Sequence, residues 1–336
     1  MRADGSLYAW GSNQYGQLGT TANNGTTNPT PTPTQVGTDL YTQMAAGYYH
    51  SLALRADGAL YAWGNNYSGE LGSPNSGPAT TSASPVRVGT TTYAQVAAGG
   101  FHSLALQADG SLYAWGQNTA GQLGQGSSTT GANPTPVRVG TDTYTQAVGG
   151  DLHSLGLRAD GSIYSWGQND TGQLGIGSIS PTTKLTPTRE ATMGTSWTTL
   201  APGSTSASSL VRTASGLTFA SAGNNDSGQL GDGTTNIATR FDRSSPLNSL
   251  QLLPVLASAA GAGSLVLVPN PASHHATTLR GAAPGSAVQV FDARGRLVLA
   301  ARTDATGTTS LALPTELAPG VYVVRSGQQA LRLAVE

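Results

Sequence analysis

His50, His102 and His153 are the residues whose type and spacing first suggest chemistry. They recur at steps of 52 and 51 residues, and three imidazoles are the protein ligands of some catalytic zinc sites. Three imidazoles alone lack the carboxylates or carbonyls that orient metal-bound histidines. Repeat positions also lie far apart unless they line an axis. The histidines are therefore read as structural, each bonding the backbone of its own repeat. Asp57, Asp109 and Asp160 precede glycines and are turn aspartates. Asn66, Asn118, Asn169 and Asn225 sit just after the repeated hairpin. They are read as bonding the chain locally or adopting a left-handed turn.

The remaining motifs carry little chemistry. Asn24-Gly-Thr, Asn66-Tyr-Ser, Asn169-Asp-Thr and Asn225-Asp-Ser fit a glycosylation sequon, which polar turns generate by chance. Gly-Gln-Leu-Gly lacks the Lys-Ser or Lys-Thr and the helix of a phosphate loop. Asp232-Gly-Thr-Thr and Asp304-Ala-Thr-Gly-Thr are too short for a calcium loop. No serine sits on a nucleophile elbow, and no acidic pair stands out from the repeat. His274-His275 is read as solvated. No catalytic, cofactor or metal residue is expected, and the chain is not read as an enzyme.

The elements that must position these residues are copies of one hairpin. Its clearest copy is His102-Ser-Leu-Ala-Leu-Gln-Ala-Asp-Gly-Ser-Leu-Tyr-Ala-Trp-Gly116, followed by Gly121-Gln-Leu-Gly124. Copies lie near 2–19, 48–72, 100–124, 151–175 and 207–231. Trp10, Trp63, Trp115 and Trp166, with Gly64, Gly116 and Gly167 behind the later three, mark the period. Asp57-Gly58 predicts a two-residue turn. That register sets Leu54 opposite Tyr61 and Leu52 opposite Trp63 on one face, with Ala53, Leu60 and Ala62 on the other. Both faces are apolar, so a neighbouring copy must cover each.

Thr135-Pro-Val-Arg-Val139 and Tyr144-Thr-Gln-Ala-Val148 add two strands per period. Four short strands in about fifty residues predict an all-β propeller blade. The polar stretches 20–35, 73–85, 125–136 and 176–188 are read as the variable, binding loops. In the fifth copy, Leu217-Thr-Phe-Ala-Ser-Ala-Gly223 is one residue longer and lacks the tryptophan. A looser blade with a bulge is expected there.

Composition narrows the function. The net charge is -1, charged residues are 10%, and Lys184 is the only lysine. Electrostatic binding to nucleic acid or an anionic membrane is not expected. There is no cysteine, and no apolar run has the length of a membrane helix. The text opens in mid-repeat at Asp4-Gly5 without a signal-peptide pattern. An incomplete record, lacking upstream blades and a signal peptide, is expected. The alternative is a first strand completed by strands from the end of the array.

The repeat text His-Ser-Leu-Ala-Leu, Asp-Gly, Leu-Tyr-Ala-Trp-Gly and Gly-Gln-Leu-Gly resembles the regulator of chromosome condensation repeat family over about residues 2–233. That resemblance implies a β-propeller, commonly of seven blades, and five copies suggest an incomplete array. Kelch repeats share the period and a Gly-Gly pair, but place Trp and Tyr differently. Beyond the array, Pro269-Asn-Pro271, Val288 to Val298, Leu317 to Arg325 and Leu331 to Glu336 look like the C-terminal sorting domain of the type IX secretion system. This implies passage across the outer membrane of a Gram-negative bacterium.

Three regions follow: repeats over 1–246, a linker or last strand over 247–264, and a small β-sandwich over 265–336. The expected function is a secreted or surface-held, non-catalytic propeller that binds a protein or glycan. Its second partner is the secretion machinery, engaged through the tail. The alternatives are a nucleotide-exchange-like regulator of a small GTPase and an enzyme whose site lies on missing blades.

Overall fold

A computed structural model describes residues 1–74, 77, 80–179, 183–191, 197–201, 206–213, 219–242, 265–268, 276–292, 296–314, 320–327 and 329–335. The chain forms two compact units, Met1–Ser249 and Leu250–Glu336. All regular elements among the described residues are strands.

In the first unit, β1 (Ser6–Gly11) pairs with the first part of β2 (Thr30–Ala46). The second part of β2 pairs with β3 (His50–Arg55), followed by β4 (Ala59–Asn65) and β5 (Thr81–Thr92). One long strand thus serves two sheets. Three further antiparallel sheets repeat the order. They are β6 (Gln95–Ala98) to β9 (Thr129–Thr143), β10 (Gln146–Gly149) to β13 (Lys184–Arg189), and β14 (Trp197–Leu200) to β17 (Ala238–Asp242). In chain order their inner members are β7 (His102–Leu106), β8 (Ser111–Asn118), β11 (His153–Leu157), β12 (Ile163–Gly167), β15 (Ser208–Thr213) and β16 (Phe219–Gly223). The leading strands of successive sheets, β2, β6, β10 and β14, touch one another in turn. This is the radial arrangement of propeller blades.

The hairpin register differs from the sequence expectation. Leu54 lies opposite Leu60, Ala53 opposite Tyr61, Leu52 opposite Ala62 and Ser51 opposite Trp63. The cause is a longer turn. Gly58 N–H bonds Arg55 O at 3.0 Å, Gly58 takes φ 79°, and the Asp57 carboxylate accepts Ala59 N–H at 3.1 Å. The three-residue turn with a left-handed glycine displaces every partner by one, which swaps faces.

The corrected register explains how copies tile. Leu52, Leu54, Leu60 and Ala62 pack against Ala105 and Trp115 of the next copy. Leu104, Leu106, Leu112 and Ala114 likewise meet Trp166. Each copy therefore has a leucine face and a tryptophan face, and unlike faces meet. Trp63, Trp115 and Trp166 are at most 2% exposed, whereas Trp10 on β1 is 60% exposed.

The bulge expected in the fifth copy lies outside its central hairpin: register shifts fall between Trp197 and Thr199 in the β14–β15 pair and between Ser221 and Gly223 in the β16–β17 pair. The pairing of β15 with β16 runs unshifted from Ser208–Gly223 to Arg212–Phe219. The extra residue falls between Arg212 and Phe219 rather than in a bulge. Ala222 takes the tryptophan position opposite Ser209. Phe241 of β17 fills the space, packing on Trp197 with ring centroids 6.4 Å apart.

The polar stretches are shorter than expected. Residues 30–35, 81–85 and 129–136 already belong to β2, β5 and β9. Their prolines sit on the last strand of a sheet, where a missing N–H costs no ladder bond.

In the second unit, β18 (Val266–Val268), β19 (Ala276–Arg280) and β22 (Thr309–Ala312) form one sheet. The other sheet has the order β21 (Leu297–Arg302), β20 (Ala287–Phe291), β23 (Gly320–Ser326) and β24 (Gln329–Val335). Leu279, Val288, Val290, Leu311, Val324 and Leu333 form their shared core. The linker over 247–264, Pro269-Asn-Pro271 and His274-His275 lie outside the described residues.

Candidate functional site

The three histidines are placed by the blade, and each reaches forward rather than into its own backbone. His50 Nε2 lies 3.1 Å from Ser103 Oγ, His102 Nε2 lies 2.8 Å from Ser154 Oγ, and His153 Nε2 lies 2.8 Å from Ser209 Oγ. Those serines donate to the carbonyls of Glu70, Gln122 and Gln173 at 2.8–2.9 Å. Each serine proton is thereby used, so the histidine carries its proton on Nε2 and donates it. The tryptophan of the same copy joins the carbonyl: Trp115 Nε1–H bonds Glu70 O at 2.8 Å, and Trp166 Nε1–H bonds Gln122 O at 2.8 Å.

This joint leaves no metal site. His102 Nδ1 and His153 Nδ1 are buried without a hydrogen-bond partner. Among the described residues no group of three metal-ligating side chains forms. Each of the first two histidines nevertheless reaches the neighbour of the next: His50 bonds the serine that follows His102, and His102 the serine that follows His153. The charges of His50 and His153 both oppose ionisation of His102. Burial pushes His50 and His153 down to about 4, and burial plus those two neighbours pushes His102 down to about 3.

The other repeated residues are also structural. Asn118 Oδ1 accepts Leu123 N–H and its Nδ2 donates to Ser127 O. Asn169 and Asn225 repeat the first bond with Leu174 and Leu230, and Asn66 with Leu71. These asparagines are buried, and none has a positive φ. Gly116 has φ 103°, and a Cβ there would come 2.7 Å from Phe101 O, which accepts Gln117 N–H. Close backbone approach therefore fixes the glycine behind the tryptophan. Asp232 and Asp304 spend their carboxylates on the N–H groups of Thr234, Thr306 and Thr308. These bonds lower both carboxyl pKa values.

Glu70 breaks the pattern of the Gly-Gln-Leu-Gly motif. Gln122 accepts Ala120 N–H at 2.9 Å and donates to Gln117 Oε1 at 3.3 Å. Glu70 keeps the first bond, to Ser68 N–H at 2.9 Å, but its Oε1 is buried without a donor. Burial raises its carboxyl to about 7, although backbone N–H groups pull the other way. Ionisation therefore costs stability as pH rises from 4.5 through 7. Glu70→Gln is expected to stabilise the chain by about 2–3 kcal/mol at pH 8 and by almost nothing below pH 4.5. Urea unfolding at both pH values checks this; equal gains would contradict it.

The residues facing solvent near the axis differ in kind. The bend between the first two strands of each blade carries Gly47-Tyr48-Tyr49, Gly99-Gly100-Phe101 and Gly150-Asp151-Leu152. Backbone bonds tie these bends together. Tyr48 N–H donates to Gly100 O at 3.0 Å, Gly100 N–H to Gly150 O at 3.1 Å, and Asp151 N–H to Ser206 O at 3.0 Å. Just beneath, Gln43 and Gln95 accept the N–H groups of Val96 and Ala147 in the next leading strand. Gln146 accepts Leu200 N–H and also donates to Leu200 O.

On this braced ring sits an aromatic cluster. Tyr15 and Tyr49 have ring centroids 4.6 Å apart, Tyr48 and Phe101 5.1 Å, and Tyr49 and Phe101 5.9 Å. Tyr48 and Tyr49 are 37% and 38% exposed. A Cβ on Gly100 would meet Asp151 Oδ1 at 2.6 Å and the Tyr48 ring at 2.9 Å, so this glycine lets carboxylate and phenol converge. Burial raises the Asp151 carboxyl pKa, and burial plus Asp151 raises the Tyr48 phenol.

A family model described as the RCC1-like domain matches residues 1–267. The chain belongs to that family. Two relatives share parts of this RCC1-like region. The human probable E3 ubiquitin-protein ligase HERC6 is 38% identical over 179 residues, 51% of this chain and 17% of the ligase. The ultraviolet-B receptor UVR8 of Arabidopsis thaliana is 32% identical over 175 residues, 52% of this chain and 40% of the receptor. The chain therefore spans less than half the length of these relatives. In the structure of yeast RCC1 (Prp20) bound to Kap60, the yeast chain is similar with TM-score 0.62 and 25% identity. The match covers 72% of this chain and 57% of the yeast chain.

Within the RCC1-like array, sequence reasoning found the repeating residues and missed the varying ones. Ser103, Ser154 and Ser209 stand 52–56 positions from their histidines. The constant His-Ser pair was the available signal for that joint. Tyr48, Tyr49 and Phe101 of the aromatic cluster fall on the two residues before His50 and His102, a place where copies disagree, and Tyr15 joins them from the stretch after β1.

Proposed function

We propose that this RCC1-like chain is an exported, non-catalytic binding scaffold. Its array presents the axial end to a protein or glycan ligand. Its C-terminal unit directs it outward through the type IX secretion machinery. The cluster of exposed Tyr48 and Tyr49 with half-buried Tyr15 and Phe101, on an array whose repeated side chains are otherwise spent on joints, carries the binding half. Exposed aromatic patches on a sealed fold mark interaction surfaces. The export half rests on sequence: Val288 to Val298, Leu317 to Arg325 and the closing Leu331 to Glu336 resemble sorting-domain text. A separate compact unit, Leu250–Glu336, suits a transferable tag. Low charge favours a ligand other than nucleic acid.

Protease shaving of intact cells of a Gram-negative host that carries this secretion system tests the reading. Expression there uses the full chain fused behind a signal peptide of the host, followed by detection with antibody to the array. Loss of signal on shaving is the expected result. A protected chain recovered intact from the cytosol sinks the export reading.

A further inference from the structure

Resting on the reading of the array as a binding module, we infer that the axial cluster is a carbohydrate site selective for neutral hexose chains. A pyranose offers an apolar C–H face bordered by hydroxyls. An aromatic ring receives the face, and carboxylates and phenols receive the edge. Both parts are present here. Tyr48, Tyr49 and Phe101 provide ring faces 5.1–6.0 Å from one another, and Tyr15 adds a fourth 4.6 Å from Tyr49. The interplanar angles of 35–56° make a faceted shelf rather than a flat one. Adjacent facets suit successive sugar rings, which are themselves turned relative to one another along a glycan.

Asp151 stands at the margin of this shelf, beside Tyr48 across Gly100. It makes no ion pair among the described residues. An unpaired carboxylate beside ring faces is suited to accept two vicinal hydroxyls. The same carboxylate repels phosphorylated or sulfated glycans and acidic peptides. Among the described residues no arginine or lysine lies over these rings to reverse that preference. The shelf is also prepaid in order. The bends that carry Tyr48, Phe101 and Asp151 are linked by backbone bonds, and the glutamine ladder Gln43, Gln95 and Gln146 fixes the strands beneath. A ligand therefore meets a surface that loses little freedom on binding.

The test uses the full chain on an array of neutral and anionic oligosaccharides, followed by affinity electrophoresis in the best neutral polysaccharide. Retention by at least one neutral glycan, and by no sulfated or phosphorylated counterpart, is expected. Tyr48→Ala and Phe101→Ala should each weaken retention about tenfold. Asp151→Asn should weaken it several-fold while admitting anionic analogues. Val137→Ala, on an outer strand, should change nothing. A blank neutral array, or retention equal in wild type and Tyr48→Ala, overturns the inference. A parallel pull-down from outer-membrane extract separates the two readings. A protein captured by wild type and lost with Tyr48→Ala would keep the binding module and discard the sugar. Neither sugar nor protein retained through Tyr48 would sink both.

Discussion

Acidification from pH 7 to pH 5 is expected to cost the array about 3–4 kcal/mol net, a large share of an ordinary domain's stability. The source is the three buried histidines, with pKa values near 4, 3 and 4. In the unfolded chain they bind protons near 6.5. The folded state thus binds fewer protons, and stability falls as pH drops from 6.5 toward 4, levelling off below. The geometry gives the same sign. Nε2 already donates to serine, so an added proton must sit on Nδ1, which has no acceptor at His102 or His153. Glu70 acts in the opposite direction over pH 7 to 4.5 and offsets about 2 of the roughly 6 kcal/mol that the histidines lose. Thermal melting at half-unit steps should therefore show a steeper acid loss in Glu70→Gln than in wild type. His102→Gln should remove about a third of the slope. A melting temperature flat between pH 7 and 5 would refute the reading of these histidines as buried and neutral.

The second large effect contrasts two tryptophans with the same local text. Trp115→Ala is expected to destabilise the chain by about 3–5 kcal/mol, because it opens a cavity against Leu52, Leu54 and Leu60. It also removes one of the two donors to Glu70 O. Trp10→Ala, at a site 60% exposed, should stay within about 0.5 kcal/mol of wild type. Guanidinium unfolding of the two variants side by side decides this. Similar losses would mean that the tryptophans act within their own hairpin rather than across copies.

The parts of this fold that the sequence made legible are the parts each copy needs in order to meet its neighbour. Trp115, Gly116 and His102 recur because the contacts they make recur. The face assignment failed at Asp57-Gly58, a pair that also closes the longer turn seen here. The choice between turns lies in the Ala59 N–H bond, invisible in composition. The tightness of the fifth blade was hidden because the replacement for its tryptophan, Phe241, comes from another strand. The aromatic shelf was hidden for a different reason. Tyr48, Phe101 and Asp151 occupy related positions with unrelated side chains, so periodicity passes over them while solvent does not.

The serine behind each histidine gives the array a way to change length. The inner periods carry a donor for the copy ahead and a receiver for the copy behind, as His102 and Ser103 do for Ser154 and His50, and His153 and Ser154 for Ser209 and His102. An in-frame duplication of one period therefore brings both halves of its coupling with it, and the old ends rejoin the new unit without a compensating substitution. Recombination among such nearly identical stretches can lengthen or shorten the gene while leaving every junction chemically intact.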